Sequence, residues 1–130
     1  MQFPHPHQVN PEYTSALRQR LREGVVVQPA RVSIGDWEPQ RNQCHDNVTI
    51  WCENKPEFQT VRGWLYMDMA GQLPYEVFMA HSVVRDSGGQ LWDITPMQAL
   101  ESYPFIPAAE PEDAYAAFIE QGATRLVHYK

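Results

Sequence analysis

Three residues in the middle of the chain have the types and the order of a nucleophile, a base and an orienting acid: Cys44, His81 and Asp93. A cysteine is a useful nucleophile as its thiolate, and both the positive end of a helix and a neighbouring imidazolium lower the pKa of a thiol. We expect Cys44 to start a helix and His81 to lie on a strand beneath it. A carboxylate beside the imidazole then holds the ring in one tautomer.

The pairing of His81 with Asp93 depends on the hairpin loop between their strands. If Arg85 lies opposite Gly89 across a three-residue loop, 86–88, the histidine and the aspartate are direct cross-strand neighbours with Cβ atoms about 5 Å apart. A loop of two or four residues places them on opposite faces unless a bulge intervenes. The sequence allows the pairing and does not force it.

The oxyanion that forms when a thiolate attacks an amide requires hydrogen-bond donors. The backbone N–H of Cys44 is one, because the first N–H groups of a helix have no acceptor within it. The second is predicted to be a side-chain amide from Gln40, Asn42 or Gln43. Among these three residues we choose Gln43.

Three other residues near Cys44 bear on the site. Trp37 is predicted to line a cleft, and Asn47, one helical turn after Cys44 on the same face, either hydrogen-bonds a neighbouring loop or contacts substrate. With Gln43, these two form the predicted substrate-binding set. His45 is an alternative base, but its position about 100° around the helix from Cys44 predicts a side chain that faces solvent.

The elements that must position these residues follow from apolar spacing and from capping and turn residues. Residues 44, 47, 48, 51 and 52 recur at helical spacing before Pro56. Other helices are predicted from Asn10 to Gly24 and from about residue 110 to Gly122. Short strands broken at Pro29 are predicted within 25–34, and longer strands at 59–67, 76–85, 90–95 and 124–129. This order predicts one α+β domain spanning residues 1–130, with the Cys44 helix packed on a mainly antiparallel sheet.

The composition opposes several classes of function. The chain has 130 residues, 43% of them hydrophobic, and a net charge of −6, which disfavours nucleic-acid binding. No apolar run reaches the roughly 18 residues of a membrane span. The N-terminal segment lacks the basic and apolar regions of a secretion signal, so we expect a cytoplasmic protein that does not bind membranes. The sequence does not indicate an oligomeric state.

Cys44 and Cys52 are predicted to remain free thiols. Along a helix their Cα atoms lie about 12 Å apart, whereas a disulfide needs less than about 7 Å. Zinc binding is the competing chemistry for these cysteines with His45 and His81. However, the sequence contains no C-x₂-C or H-x₃₋₅-H pair, and the two cysteines are too far apart to share one ion. We therefore predict no metal and no cofactor.

The segment 37–97 resembles the core of the transglutaminase-like and papain-like cysteine enzymes. The resemblance lies in a cysteine at a helix start, then HSVV at 81–84, then GQLWDITP at 89–96. It implies Cys44 as nucleophile, His81 as base and Asp93 as orienting acid. It also implies acyl transfer from an amide in a protein, a peptide or a small molecule, by proteolysis, deamidation or transamidation. The alternative is a non-catalytic binding or regulatory module that keeps the same fold.

Overall fold

The computed structural model describes residues 8–68, 71–96 and 103–130. In this part of the chain, three α-helices accompany one mixed, mostly antiparallel sheet of eight strands, which confirms the predicted α+β class. The helices are α1 (Pro11–Gln19), α2 (Cys44–Asn54) and α3 (Glu112–Glu120). The strands are β1 (Gln8–Val9), β2 (Val25–Val26), β3 (Gln28–Pro29), β4 (Gln59–Met67), β5 (Tyr75–Arg85), β6 (Leu91–Asp93), β7 (Pro104–Pro107) and β8 (Arg125–Tyr129).

The three helices form close to their predicted spans, with α3 starting and ending within two residues of the prediction. Asn10 caps α1, its side chain accepting the Tyr13 backbone N–H at 3.2 Å. Helix α2 begins at Cys44 and ends at Asn54, the span predicted before Pro56. Helix α1 is shorter than predicted, because a single 3₁₀ turn over Leu21–Glu23 replaces its last turn before Gly24.

The strand order along the sheet is β1-β8-β5-β4-β7-β2, and β6 pairs with both β5 and β3. Neighbouring strands are antiparallel except for β1 with β8 and β3 with β6. The prediction for 59–67 is confirmed, and those for 76–85, 90–95 and 124–129 differ from β5, β6 and β8 only at their ends. Strands β1 and β7 were not predicted. Strand β7 begins and ends with proline, a residue that argues against a strand inside a sheet, yet it pairs with β4 and β2.

The segment 25–29 forms two strands of two residues each rather than longer ones. β2 pairs with β7, and β3 pairs with β6, so this segment crosses between strands that lie on either side of the β4–β5 pair. The break falls at Val27, whose side chain packs on an apolar cluster of the sheet, and not at Pro29, which lies in β3. This crossing supports β6, the strand that carries Asp93.

The two faces of the sheet carry different clusters. One face packs α1 and α3 over Trp64, Phe78 and Leu126, and α2 over Val84. The opposite face carries an apolar cluster of Val61, Leu65, Val83 and Phe105. Since side chains alternate along a strand, His81 lies on the second face with Val83.

Gly63 is required by the close packing on this second face. It lies directly opposite His81 in the β4–β5 pair. A Cβ at this position would meet the carbonyl oxygen of Ile106 at 2.3 Å and the Phe105 ring at 2.6 Å. The absence of a side chain lets Phe105 pack edge-to-face against the imidazole of His81, with ring centroids 6.3 Å apart.

Candidate active site

His81 and Asp93 form a buried pair on the face of the sheet opposite the helices. The Nε2 atom of His81 lies 2.7 Å from a carboxylate oxygen of Asp93, and the two residues are 6% and 8% exposed. The second carboxylate oxygen accepts the backbone N–H of Thr95 at 3.2 Å. Asp93 therefore has a hydrogen bond on each oxygen, which fixes the direction in which it presents its charge to the ring.

The register that produces this pair differs from the predicted one. Asp86 donates its N–H to the Gln90 carbonyl at 2.9 Å, and Gly89 has φ +89°. The three-residue loop is thus 87–89 instead of 86–88. Arg85 lies opposite Leu91, which places Asp93 opposite residue 83 and diagonal to His81. The residue opposite Asp93 is two positions further along β5 than predicted. Because side chains alternate between faces, His81 and Asp93 still lie on the same face and remain in contact.

Cys44 reaches His81 where one edge of β5 is free. On the side away from β4, β8 pairs with residues 75–79 and β6 with residues 84–85. Among the described residues no strand pairs with residues 81–83 on that side. The first turn of α2 lies beside this opening: His81 is close enough to the Cys44 thiol to lower its pKa, and His45 contacts Ser82 on the other face. Two successive helix residues thus reach both faces of the strand.

The thiol and the imidazole change each other's protonation. Burial raises the pKa of Cys44, but hydrogen bonds with His45 and His81 and the charges on both rings outweigh it and lower the pKa to about 6. Burial lowers the pKa of His81, but hydrogen bonds and charge from Asp93 and Cys44 raise it to about 9. Between these values the proton resides on the ring, and the sulfur is a thiolate at the positive end of a helix.

Asn47 holds the loop that precedes Cys44. Its side-chain oxygen accepts the Gln40 N–H at 3.0 Å, and its NH₂ group donates to the Gln40 carbonyl at 2.7 Å and to the Thr95 hydroxyl at 3.0 Å. The loop contact is one of the two roles predicted for Asn47. The contact with substrate is disfavoured, because both N–H groups are used and the residue is 2% exposed.

Trp37 and Gln43 are the other predicted substrate-binding residues, and in sequence they precede and follow Gln40, the residue that Asn47 holds. Gln43 is the N-cap of α2, and its exposed side chain makes no capping hydrogen bond. Trp37 is half-buried and packs on the cluster of Val48 and Trp51. Contact of either residue with substrate stays a prediction.

The prediction that His45 faces solvent is wrong. Its Nδ1 atom lies 2.6 Å from the Ser82 hydroxyl, and its ring packs edge-to-face on Tyr115 with centroids 5.9 Å apart. Arg62 donates to the same hydroxyl at 3.0 Å and to the His45 carbonyl at 3.2 Å. The prediction assumed an exposed first turn, but the free edge of β5 meets that turn. The sequence signal for this network was Ser82, which with His81 interrupts an apolar stretch of strand.

Cys52 lies two turns further along α2 and has a different environment. It is half-buried and packs on the cluster of Val48, Trp51, Val84 and Ile94, as predicted. Both cysteines are free thiols, which confirms the prediction that they form no disulfide. Cys52 is therefore an internal reference for the chemistry of Cys44.

Comparison of the chain with protein-family models, with curated proteins and with solved structures gives no match. Within residues 8–68, 71–96 and 103–130, no cluster of three His, Cys, Asp or Glu side chains has an arrangement that could hold a metal ion. None of the helices in the same ranges has both the length and the apolar character needed to span a bilayer. The function therefore has to be argued from the site.

Proposed function

We propose that this protein is a cysteine-dependent enzyme that transfers an acyl group from an amide, with Cys44 as nucleophile, His81 as base and Asp93 as orienting acid. The observation that carries the proposal is the buried 2.7 Å contact between His81 Nε2 and Asp93, on a ring that also hydrogen-bonds the thiol. Because Nε2 is engaged by Asp93, the Nδ1 atom is the one that exchanges a proton with the sulfur. A cysteine enzyme of the transglutaminase-like or papain-like type needs this arrangement.

The reaction follows from these positions. The Cys44 thiolate attacks the carbonyl carbon, an S–C bond forms, and the π electron pair moves to the oxygen. When the pair returns, the C–N bond breaks, and the departing nitrogen takes the proton from Nδ1 of His81. The product is a thioester on Cys44. Water or an amine then attacks the thioester and His81 accepts its proton. The C–S bond breaks, the acyl product leaves, and the thiolate and imidazolium are regenerated.

The backbone of α2 contributes to this chemistry. Cys44 is the first residue of the helix, so its N–H has no acceptor within the helix and is available to the oxyanion. The buried pair adds a charge effect: the Asp93 carboxylate stabilises the imidazolium, which in turn stabilises the thiolate. A purely structural cysteine needs no lowered pKa, whereas Cys44 combines a lowered pKa with a half-buried position.

The experiment is acylation with p-nitrophenyl acetate, followed by peptide mass spectrometry. We expect a burst of about one nitrophenolate per chain and a hydroxylamine-sensitive acetyl group on Cys44, with Cys52 unmodified. His81→Ala should slow this acylation by about a hundredfold, and Cys44→Ala should abolish it. A wild-type chain that acetylates neither cysteine, or both equally, contradicts the proposal and favours the binding module.

The acceptor and the substrate class are then read from three assays on one glutamine-rich protein such as casein. Proteolysis releases fragments, deamidation releases ammonia, and transamidation incorporates a labelled amine. We expect one of the three to depend on Cys44, His81 and Asp93 together.

A further inference from the structure

We infer that His45 is a further catalytic residue, whose ring N–H donates a hydrogen bond to the carbonyl oxygen of the amide substrate as that oxygen becomes negative. This inference rests on the proposed function and adds a residue to it. Together with the backbone N–H of Cys44, the ring supplies the second oxyanion donor that was predicted to be the amide of Gln43.

The position of His45 is fixed from two sides. Its Nδ1 atom is bound to Ser82, which is fully buried, and its ring packs on Tyr115. The Tyr115 hydroxyl donates to the Gly63 carbonyl at 2.8 Å, so the surface beneath the ring is itself anchored to β4. With Nδ1 occupied at Ser82, the atom that remains for the contact with the Cys44 thiol is Nε2.

Arg62 determines which ring nitrogen of His45 carries the hydrogen. A guanidinium only donates hydrogen bonds, and Arg62 donates to the Ser82 oxygen at 3.0 Å. The hydroxyl then directs its own hydrogen to Nδ1 of His45, and the hydrogen bonds described for Ser82 include no other acceptor. Nε2 therefore carries a hydrogen, because Nδ1 is the acceptor in a neutral ring and an imidazolium has a hydrogen on both nitrogens. We assign His45 as an N–H donor that points at the sulfur.

Arg62 is itself held in place. Its other nitrogens donate to Glu112 at 2.9 Å and to the Thr49 hydroxyl at 3.1 Å, and it also contacts the His45 carbonyl. The side chain is only 14% exposed. A guanidinium with this many fixed acceptors has one orientation, so the donor at His45 is set before substrate binds.

The position of this donor suits an oxyanion better than a base. His81 already serves as the base and is oriented by Asp93. An N–H that points at the sulfur lies next to the carbon that the sulfur attacks, and the negative charge moves from the sulfur to the carbonyl oxygen in that step. A fixed donor close to both positions follows the charge as it moves.

The test compares two probes of Cys44 that differ in the need for an oxyanion. Iodoacetamide alkylates the thiolate by displacing iodide, whereas p-nitrophenyl acetate passes through a tetrahedral oxyanion. Both rates are measured across pH and compared at their plateaus, where the thiolate is fully formed in each variant. We expect His45→Ala to lower acylation about a hundredfold and alkylation by less than about tenfold. His45→Gln, which keeps an N–H donor, should restore at least about tenfold of the lost acylation.

The controls separate this inference from the proposed function. His128→Ala removes a histidine on β8 that hydrogen-bonds Thr14 of α1 and should leave the ratio of the two rates unchanged. If His45→Ala does not fold, Ser82→Ala removes the partner of Nδ1 and should lower acylation more than alkylation. Equal losses of both rates in these variants overturn the oxyanion role of His45. A wild-type chain that is not acylated at Cys44 overturns the proposed function instead.

Discussion

Replacing Asp93 with asparagine tests the centre of the site, because it removes the charge beside His81 and keeps the size of the side chain. Asp93 accepts two hydrogen bonds, one from His81 and one from the Thr95 backbone, each on its own oxygen. Asparagine has a single oxygen. If that oxygen stays with Thr95, the NH₂ group faces Nε2 and forces the neutral ring to carry its hydrogen on Nδ1. This is the atom that must take the proton of Cys44.

The size of the effect follows from the protonation of His81. Its rise in pKa from 6.5 to about 9 corresponds to about 3 kcal/mol in favour of the imidazolium. Burial opposes this rise, and the hydrogen bond that His81 donates to Asp93 is the largest of the interactions that produce it. We assign to Asp93 about 2 kcal/mol of the free energy that favours the imidazolium, which is about 1.5 units of the His81 pKa. Without this charge, we expect the pKa of the Cys44 thiol in Asp93→Asn to rise by at least about one unit. The alkylation rate of Cys44 near pH 6 should then fall about threefold to fivefold, because less thiolate is present and the remaining thiolate is somewhat more nucleophilic.

The assay is alkylation by iodoacetamide over a pH series, with each cysteine quantified by peptide mass spectrometry. Cys52 reports any general change in access to α2. Asp36→Asn is the matched control, because it removes the same charge from an exposed turn. An unchanged midpoint for Cys44 in Asp93→Asn, or the same shift in the control, would refute the argument that Asp93 maintains the thiolate through His81.

Three further substitutions have defined outcomes. Between pH 6.5 and 9, the folded wild type has about one proton fewer on Cys44 and about one more on His81 than the unfolded chain. The contributions of the two residues to the pH dependence of stability therefore nearly cancel. Cys44→Ser leaves only the raised pKa of His81. Its stabilisation is complete below pH 6.5, and the urea-unfolding free energy should fall by about 1–2 kcal/mol as pH rises toward 9. Gly63→Ala drives a Cβ into Phe105 and should cost about 3 kcal/mol in the same assay. Asn47→Ala removes three hydrogen bonds and should cost about 2–3 kcal/mol and expose residues 40–43 to proteolysis.

A matched control variant tests the stated cause of each predicted loss of unfolding free energy. Cys52→Ser should show the pH dependence of the wild type. Gly88→Ala adds a Cβ no closer than 3.4 Å to its neighbour and should change stability by less than about 0.5 kcal/mol. Asn54→Ala alters an exposed amide at the end of α2 with a similarly small effect. Losses in these controls equal to those in the site variants would contradict the reasoning.

The sequence predicts the local parts of the structure well. The limits of α2 follow from helical spacing and Pro56, and His81 and Asp93 share a face for any loop with an odd number of residues. The sequence does not determine which residue of β5 lies opposite Asp93. Gly88 and Gly89 are both suitable for the last position of a three-residue loop, so the loop could be 86–88 or 87–89. The Asp86 carboxylate selects one placement by accepting the N–H groups of Gly88 and Gln90, each at 2.9 Å.

The parts that could not be predicted depend on distant elements. Strand β7 is stabilised by pairing with β4 and β2, which outweighs the two prolines at its ends. The orientation of His45 depends on which edge of β5 lies beside α2, and helical spacing carries no information about that edge. The contact between Arg62 and Ser82 likewise joins adjacent strands, so it becomes visible only once their register is known.

The short strand β6 has a consequence for how the candidate site would be lost. It is joined to β5 at two positions and to β3 at two, while β4 and β5 are paired at nine. Fraying of this corner therefore requires less free energy than global unfolding and withdraws Asp93 from the ring while the central strands persist. Inactivation in urea should precede the loss of circular dichroism, and amide hydrogens of β6 should exchange before those of β4. The durability of the chemistry is thus limited by the weakest corner of the sheet.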